Sequence, residues 1–199
     1  ELWKHGVNTY LASMITLANA LADQCEVHGA DITEVISGMK RDRRISAYAP
    51  LGPGPGFGGG TIGRDVNVLR ASAAIAHLPT SYFDAIITMN RNRPSQLIEK
   101  LGPVAGKKIV ILGMAYKPGT DTLRRSVGIH CAKLLTEKKA VVTVYDPVIA
   151  TVPGYTTGAT VEESIKNADA ILLVTEWPQF KNLDWNALRT QMKTPCIVD

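Results

Sequence analysis

The chain has 199 residues, 45% of them apolar and 20% charged, with a formal net charge of +4. That is ordinary globular composition, long enough for one large or two small domains. Its longest apolar runs, Ile109–Leu112 and Ala170–Val174, are strand-sized and far below the ~20 residues that span a bilayer. The Lys and Arg residues are dispersed rather than blocked, which fits a phosphate-bearing small molecule better than a nucleic acid.

From Leu2 to about His28, apolar residues recur at helical spacing (Val7, Leu11, Met14, Ile15, Ala18, Leu21, Ala22, Cys25), and Gly29 stands as a C-cap. Asp31 opens a short second helix, with Glu34 three residues on as a capping box, ending near Lys40. Leu51 to Gly63 holds seven glycines and two prolines in thirteen residues and reads as a loop, neither helix nor strand. Helical periodicity returns from Arg64 to His77. A further helix follows Pro79, capped by Thr80 or Ser81, and reaches about Leu101, with Pro94 expected to kink or break it.

At Gly102 the pattern changes. Strands at 107–113, 140–145, 170–175 and 195–198 alternate with helices at 126–138 and 160–167, the second of these behind a Thr-x-x-Glu box. Apolar strands alternating with helices make a parallel, helix-covered sheet. The expected fold is therefore an α-helical domain over residues 1–101, followed by an α/β Rossmann-like domain with a parallel sheet over residues 102–199.

Cys25, Cys131 and Cys196 are odd in number and far apart, the pattern of reduced, buried thiols, which points to the cytoplasm. His5, His28, His77 and His130 stand apart from one another and from any Cys or carboxylate at metal-ligand spacing, so no metal site is expected. The chain starts without a methionine or a signal-peptide layout and stops in what reads as a strand, so both ends read as cuts through a longer protein.

Two features carry chemistry. Lys4 and Asn8 are four residues apart and share a helix face. The glycine run lets backbone N–H groups approach a phosphate or sugar without Cβ obstruction, and Phe57 within it is a packing anchor.

Together, Arg44-Ile45, the run Gly-Pro-Gly-Pro-Gly-Phe-Gly-Gly-Gly-Thr-Ile-Gly-Arg-Asp-Val, the segment Lys107 to Ser126 with its Lys-Pro-Gly-Thr-Asp-Thr-Leu-Arg, Tyr145-Asp146-Pro147 and Thr175-Glu176-Trp177 resemble the UDP-glucose/GDP-mannose dehydrogenase family across nearly the whole chain. The resemblance implies two-step, NAD-dependent oxidation of a nucleotide sugar's C6 alcohol to the acid. A cysteine thiolate serves the second step by forming a thiohemiacetal and then a thioester. It implies a homodimer through the long first helix, the UDP-sugar as ligand, and NAD held by an amino-terminal domain absent from this sequence.

Carried over residue by residue, Lys4 and Asn8 stabilise the developing oxyanion and Asp65 orients water, while Thr61 occupies the position of the cysteine. Arg44, Phe57, Gly58, Gly59, Gly60, Lys117 and Arg124 contact the substrate. The spacing from Ile45 to Thr61 is about one residue longer than the family's. A threonine hydroxyl is a poor nucleophile without a dedicated base. The sequence is therefore compatible with an enzyme limited to alcohol-to-aldehyde oxidation, with a rearranged or engineered site, or with an inactive nucleotide-sugar-binding and dimerisation module. UDP-glucose, UDP-N-acetylhexosamines and GDP-mannose all remain as sugars. Arg125, where the family has a glutamate, reads as a surface charge. The segment after the first strand, Leu112 to Lys117, has one glycine where a dinucleotide fingerprint needs three, so this domain is not expected to bind NAD.

Overall fold

The structure, a computed structural model, describes residues 1–199. It divides into two compact units, Glu1–Arg93 and Pro94–Asp199.

In the first unit, α1 (Leu2–His28) is closed by Gly29, whose left-handed φ of 66° lets its N–H reach Cys25 O. Ala12, Ala18 and Ala22 are buried along it, and these small residues let a neighbouring backbone approach closely. In α2 (Ile32–Met39) the cap is made to Thr33, two residues after Asp31: Asp31 Oδ1 accepts both the Thr33 N–H and its hydroxyl at 2.7 Å. The next helix, α3 (Ile62–Ile75), starts two residues before the expected Arg64, so Ile62 and Gly63 belong to it and Thr61 takes the N-cap position. It packs along α1, and Val66 joins Ala12 and Ile86 in a small core that Phe57 half-covers.

The last helix of this stretch, α4 (Ser81–Lys100), runs without a break, with Pro94 inside it. The expected break is instead a boundary between packing environments, because the units divide at Arg93 and Pro94. Beyond Pro94, Leu97, Ile98 and Leu101 are buried with the core of the second unit, which puts the divide eight residues before position 101. No helix is long and apolar enough to cross a membrane.

The second unit is a five-stranded, wholly parallel sheet in the order β3-β2-β1-β4-β5. Its strands are β1 (Lys108–Leu112), β2 (Val141–Tyr145), β3 (Thr156–Thr157), β4 (Ala170–Leu173) and β5 (Ile197–Val198). Central β1 pairs Ile109 with Val142 on one side and Ala170 on the other, and Ile109 to Leu112 are fully buried. Strands covered on both faces read as continuous apolar runs, which is why β1 and β4 were visible in the sequence. Helix α5 (Val127–Glu137) is capped by Ser126, whose side chain accepts from Gly128 N. Helix α6 (Val161–Ile165) is capped by Thr160. Three elements had no sequence signal: the two-residue β3, α7 (Pro178–Lys181) and α8 (Trp185–Arg189). All are too short to show a period.

Candidate functional site

In the helical unit, the residues singled out at positions 8 and 65 meet although 57 positions separate them. Asn8 Nδ2 donates to Asp65 Oδ2 at 2.5 Å, and Arg64 Nε donates to Asp65 Oδ1 at 2.9 Å. His5, on the same α1 face, places Nδ1 3.2 Å from Asp65 Oδ1 and Nε2 3.9 Å from Glu1 Oε2. That Nδ1 is within charge-pairing reach but has no aligned hydrogen bond. Asp65 is wholly buried. A buried carboxylate must be paired to stay ionised, and the Asn8 hydrogen bond, followed by Arg64, holds its pKa below the ordinary carboxylate value against the opposing effect of burial. It is suited to orienting a donor such as water and poorly suited to storing a proton.

Lys4 is exposed one helical turn before Asn8. Thr61 is exposed at the start of α3, and its side chain makes no cap hydrogen bond. Its carbonyl accepts from Asp65 N at 3.0 Å, so Thr61 and Asp65 stand one turn apart.

The glycine-rich loop before Thr61 is ordered by four polar contacts from α1 and α4. Asn19 Oδ1 accepts from Gly54 N at 2.7 Å, and Asn90 clamps Phe57 by accepting from its N–H at 2.8 Å and donating to its carbonyl at 3.0 Å. Arg93, only 4% exposed, donates to Gly54 O at 3.0 Å and to Asp23 Oδ1 at 2.6 Å. Gly56 has a φ of +93°, and a Cβ there would come within 2.5 Å of Asn90 Oδ1, so the clamp itself requires glycine. Gly59 is buried, Gly58 half-buried and Gly60 exposed. Asn19, Asn90 and Arg93 escaped the sequence reading. They sit inside ordinary helical periods, and only their contacts with the loop mark them, Asn19 and Arg93 being buried as well.

Arg44 is exposed, and its guanidinium pairs with Asp42 at 2.6 Å within its own turn. No hydrogen bond joins it to the Asp65 group.

In the α/β unit, Lys117 and Arg124 are exposed on the connection between β1 and α5. Tyr116 N donates to Thr122 O at 3.1 Å, which closes the intervening turn, and Lys117 Nζ lies 5.8 Å from the Tyr116 ring centre. Two exposed cations on a closed turn can receive an anionic group. Behind them, Asp146 is buried and its Oδ2 accepts from Met114 N (2.7 Å), Ala115 N (2.9 Å) and Trp177 Nε1 (3.1 Å).

This arrangement does not fit a dinucleotide after β1. Such a site needs free N–H groups on a tight strand-to-helix turn, with the phosphates at the helix N-terminus. Here residues 113–126 separate strand from helix, and the first two of the N–H groups beyond Gly113 are already taken by a carboxylate.

A helical unit with a paired, buried carboxylate and a pinned glycine loop is followed in sequence by a parallel sheet of Rossmann order. Residues 1–92 match the central domain, and residues 110–199 the UDP binding domain, of the UDP-glucose/GDP-mannose dehydrogenase family, and the chain belongs to that family. It is 35% identical over 211 aligned residues to UDP-glucose 6-dehydrogenase of Rickettsia bellii, covering all of this chain and 48% of that protein. Among solved structures it is similar to a UDP-glucose dehydrogenase from Pyrobaculum islandicum (TM-score 0.87, 27% identity, all of this chain and 50% of that one). It is likewise similar to a UDP-D-ManNAc dehydrogenase from Pyrococcus horikoshii (TM-score 0.86, 26% identity, 99% and 46%). The chain spans about half the length of the curated relatives it matches.

Proposed function

We propose that this chain is the nucleotide-sugar-handling part of a UDP-glucose 6-dehydrogenase-like enzyme, with the helical domain holding the sugar and the α/β domain the diphosphate. The observation that carries the reading is the Asn8 to Asp65 hydrogen bond, which joins the Lys-x-x-x-Asn helix to the helix behind the glycine loop. Lys4, with Asn8's remaining N–H, is the donor set for a developing alkoxide. Asp65 orients water, the pinned backbone of Phe57 to Gly60 faces the sugar, and Arg44, Lys117 and Arg124 serve the anionic and hydroxyl groups. NAD is the hydride acceptor that the family resemblance implies, bound outside this chain's α/β unit. Exposed Leu2, Trp3, Val7 and Tyr10 on α1 support a homodimer through that helix, and the buried free thiols Cys25 and Cys131 support a cytoplasmic setting.

Oxidation of the alcohol to the aldehyde needs only a hydride acceptor and somewhere for the hydroxyl proton to go. Oxidation of the aldehyde needs a nucleophile, and Thr61 stands in that place. The reading is therefore an enzyme that stops at the aldehyde. The test mixes the full protein with limiting UDP-glucose and excess NAD. One NADH per sugar supports it; two would overturn the role given to Thr61. None, with calorimetric binding of UDP-glucose intact, would favour an inactive nucleotide-sugar-binding and dimerisation module, which the exposed, uncapping Thr61 side chain also suits.

A further inference from the structure

The Asp65 group contains a side chain that the proposed function does not use. His5 projects from α1 with only 17% of its side chain exposed, and its Nδ1 is 3.2 Å from the wholly buried Asp65 carboxylate. The charged groups facing it are Glu1 at the N-cap of its own helix, 3.9 Å from Nε2, and Asp65 on α3, whose Oδ1 is shared with Arg64. Lys4, its chain neighbour, is exposed.

We propose that His5 is the proton-accepting residue of this site, held by Asp65 in the tautomer that carries hydrogen on Nδ1 and leaves Nε2 free as a base. The inference rests on the dehydrogenase reading above. An ionised carboxylate beside one imidazole nitrogen favours the N–H tautomer at that nitrogen; the buried Asp65 carboxylate, 3.2 Å from Nδ1 though not aligned for a hydrogen bond, outweighs the exposed and solvent-screened Glu1 carboxylate 3.9 Å from Nε2. Asp65 is kept ionised by Asn8 and Arg64, so it cannot itself take up a proton near neutral pH. Imidazole is the side chain that ordinarily can.

The step balances. The C6 carbon–hydrogen bond of the alcohol breaks with its electron pair leaving as hydride to a nicotinamide dinucleotide. The hydroxyl proton passes through water to Nε2, the carbon–oxygen double bond forms, and the imidazolium is stabilised by Asp65. His5 acts through water and through Asp65, so it is a positioning and proton-holding residue rather than one that touches the sugar.

Two measurements test this. With 15N-labelled histidine in the full protein, and the His5 resonances assigned by their loss in His5→Gln, the neutral ring should show hydrogen on Nδ1. Asp65→Asn should weaken that preference. Hydrogen on Nε2 in the unaltered protein overturns the proposal without any substrate or NAD. In the first oxidation, His5→Gln should lower kcat about 10²-fold, the usual scale for a lost acid–base group. It should also change the pH dependence of kcat and leave the Kd for UDP-glucose within about twofold. An unchanged pH profile with binding intact overturns the role of His5. Loss of UDP-glucose binding in the unaltered protein would instead sink the dehydrogenase reading, and the tautomer result would still stand by itself. His130→Gln, on the exposed side of α5, is the control and should match the parent.

Discussion

Asp146→Ala tests how the α/β unit is tied together at the ends of its strands. The carboxylate collects the N–H groups of Met114 and Ala115 after β1 and the indole of Trp177 beyond β4, and it also accepts from Val148 N at 3.1 Å. Met114, Ala115 and Trp177 are at most 5% exposed, so alanine leaves three buried donors unpaired. At about 1–3 kcal/mol each, and with water entering the vacated space to recover part of the loss, the expected cost is about 4 kcal/mol. That is a large fraction of the roughly 5–15 kcal/mol that stabilises a domain. Asp146→Asn keeps one oxygen that can face the three donors and sacrifices the Val148 bond and the charge, for about 1–2 kcal/mol. Urea denaturation followed by tryptophan fluorescence reads both variants, because Trp177 itself leaves the core on unfolding. An alanine variant within 1 kcal/mol of the parent, or an asparagine variant as damaged as the alanine one, would refute the reasoning.

Thr61→Cys should convert one NADH per UDP-glucose into two in the full protein, measured by absorbance at the endpoint, and should leave the melting temperature within a degree or two because the position is exposed. Arg93→Ala removes bonds to Gly54 O and Asp23 and should cost about 2 kcal/mol, with faster amide hydrogen exchange at Gly54 and Phe57 than at α1. Acid should weaken the helical unit through Asp65. Its folded-state pKa lies below the ordinary 3.8, so its stabilising contribution is complete above that value and disappears as pH falls through the lower folded-state pKa. The stability gap between the parent and Asp65→Asn, measured by urea titration at successive pH values, should close only in that acid range. The Cys131 thiol, pushed up to about 12 by burial, should resist alkylation in the native protein and react promptly in urea.

The long periodic elements were legible because burial writes itself into sequence at fixed intervals. Met14, Ala18, Ala22 and Cys25 mark α1, and Ile109 to Leu112 marks β1. The start of α3 was misplaced because the glycine run hides where extended backbone gives way to helix, and only the observed Thr61 to Asp65 turn bond fixes it. Pro94 looked like a break because proline removes a helical N–H, yet the helix persists, with Arg93 bonded to one unit's loop and Leu97 and Ile98 buried in the other's core. At the site, Asn8 and Asp65 could be named from their motifs, but their bond spans 57 positions and no spacing rule predicts it. His5 carries no signal in the sequence for the same reason: its carboxylate partner is distant in sequence and adjacent in space.

The residues that the proposed function gives to its two oxidations differ in how deeply they are built into this fold. Asp65 is wholly buried, and its two oxygens take Asn8 from α1 and Arg64 beside it. Replacing it with an apolar residue strands two polar partners, and replacing Asn8 leaves a buried carboxylate short of its closest donor, so both changes carry a structural penalty on top of any loss of chemistry. Thr61 is different. It is exposed at the first turn of α3, and its side chain caps nothing, so exchange of a cysteine there for threonine costs the fold almost nothing. Asn8 and Asp65 are thus protected by their structural work, while the exposed Lys4 and Thr61 positions are free to vary as far as the fold is concerned. On the function proposed above, threonine at position 61 removes the second oxidation while the Asn8–Asp65 pair and the pinned glycine loop are kept.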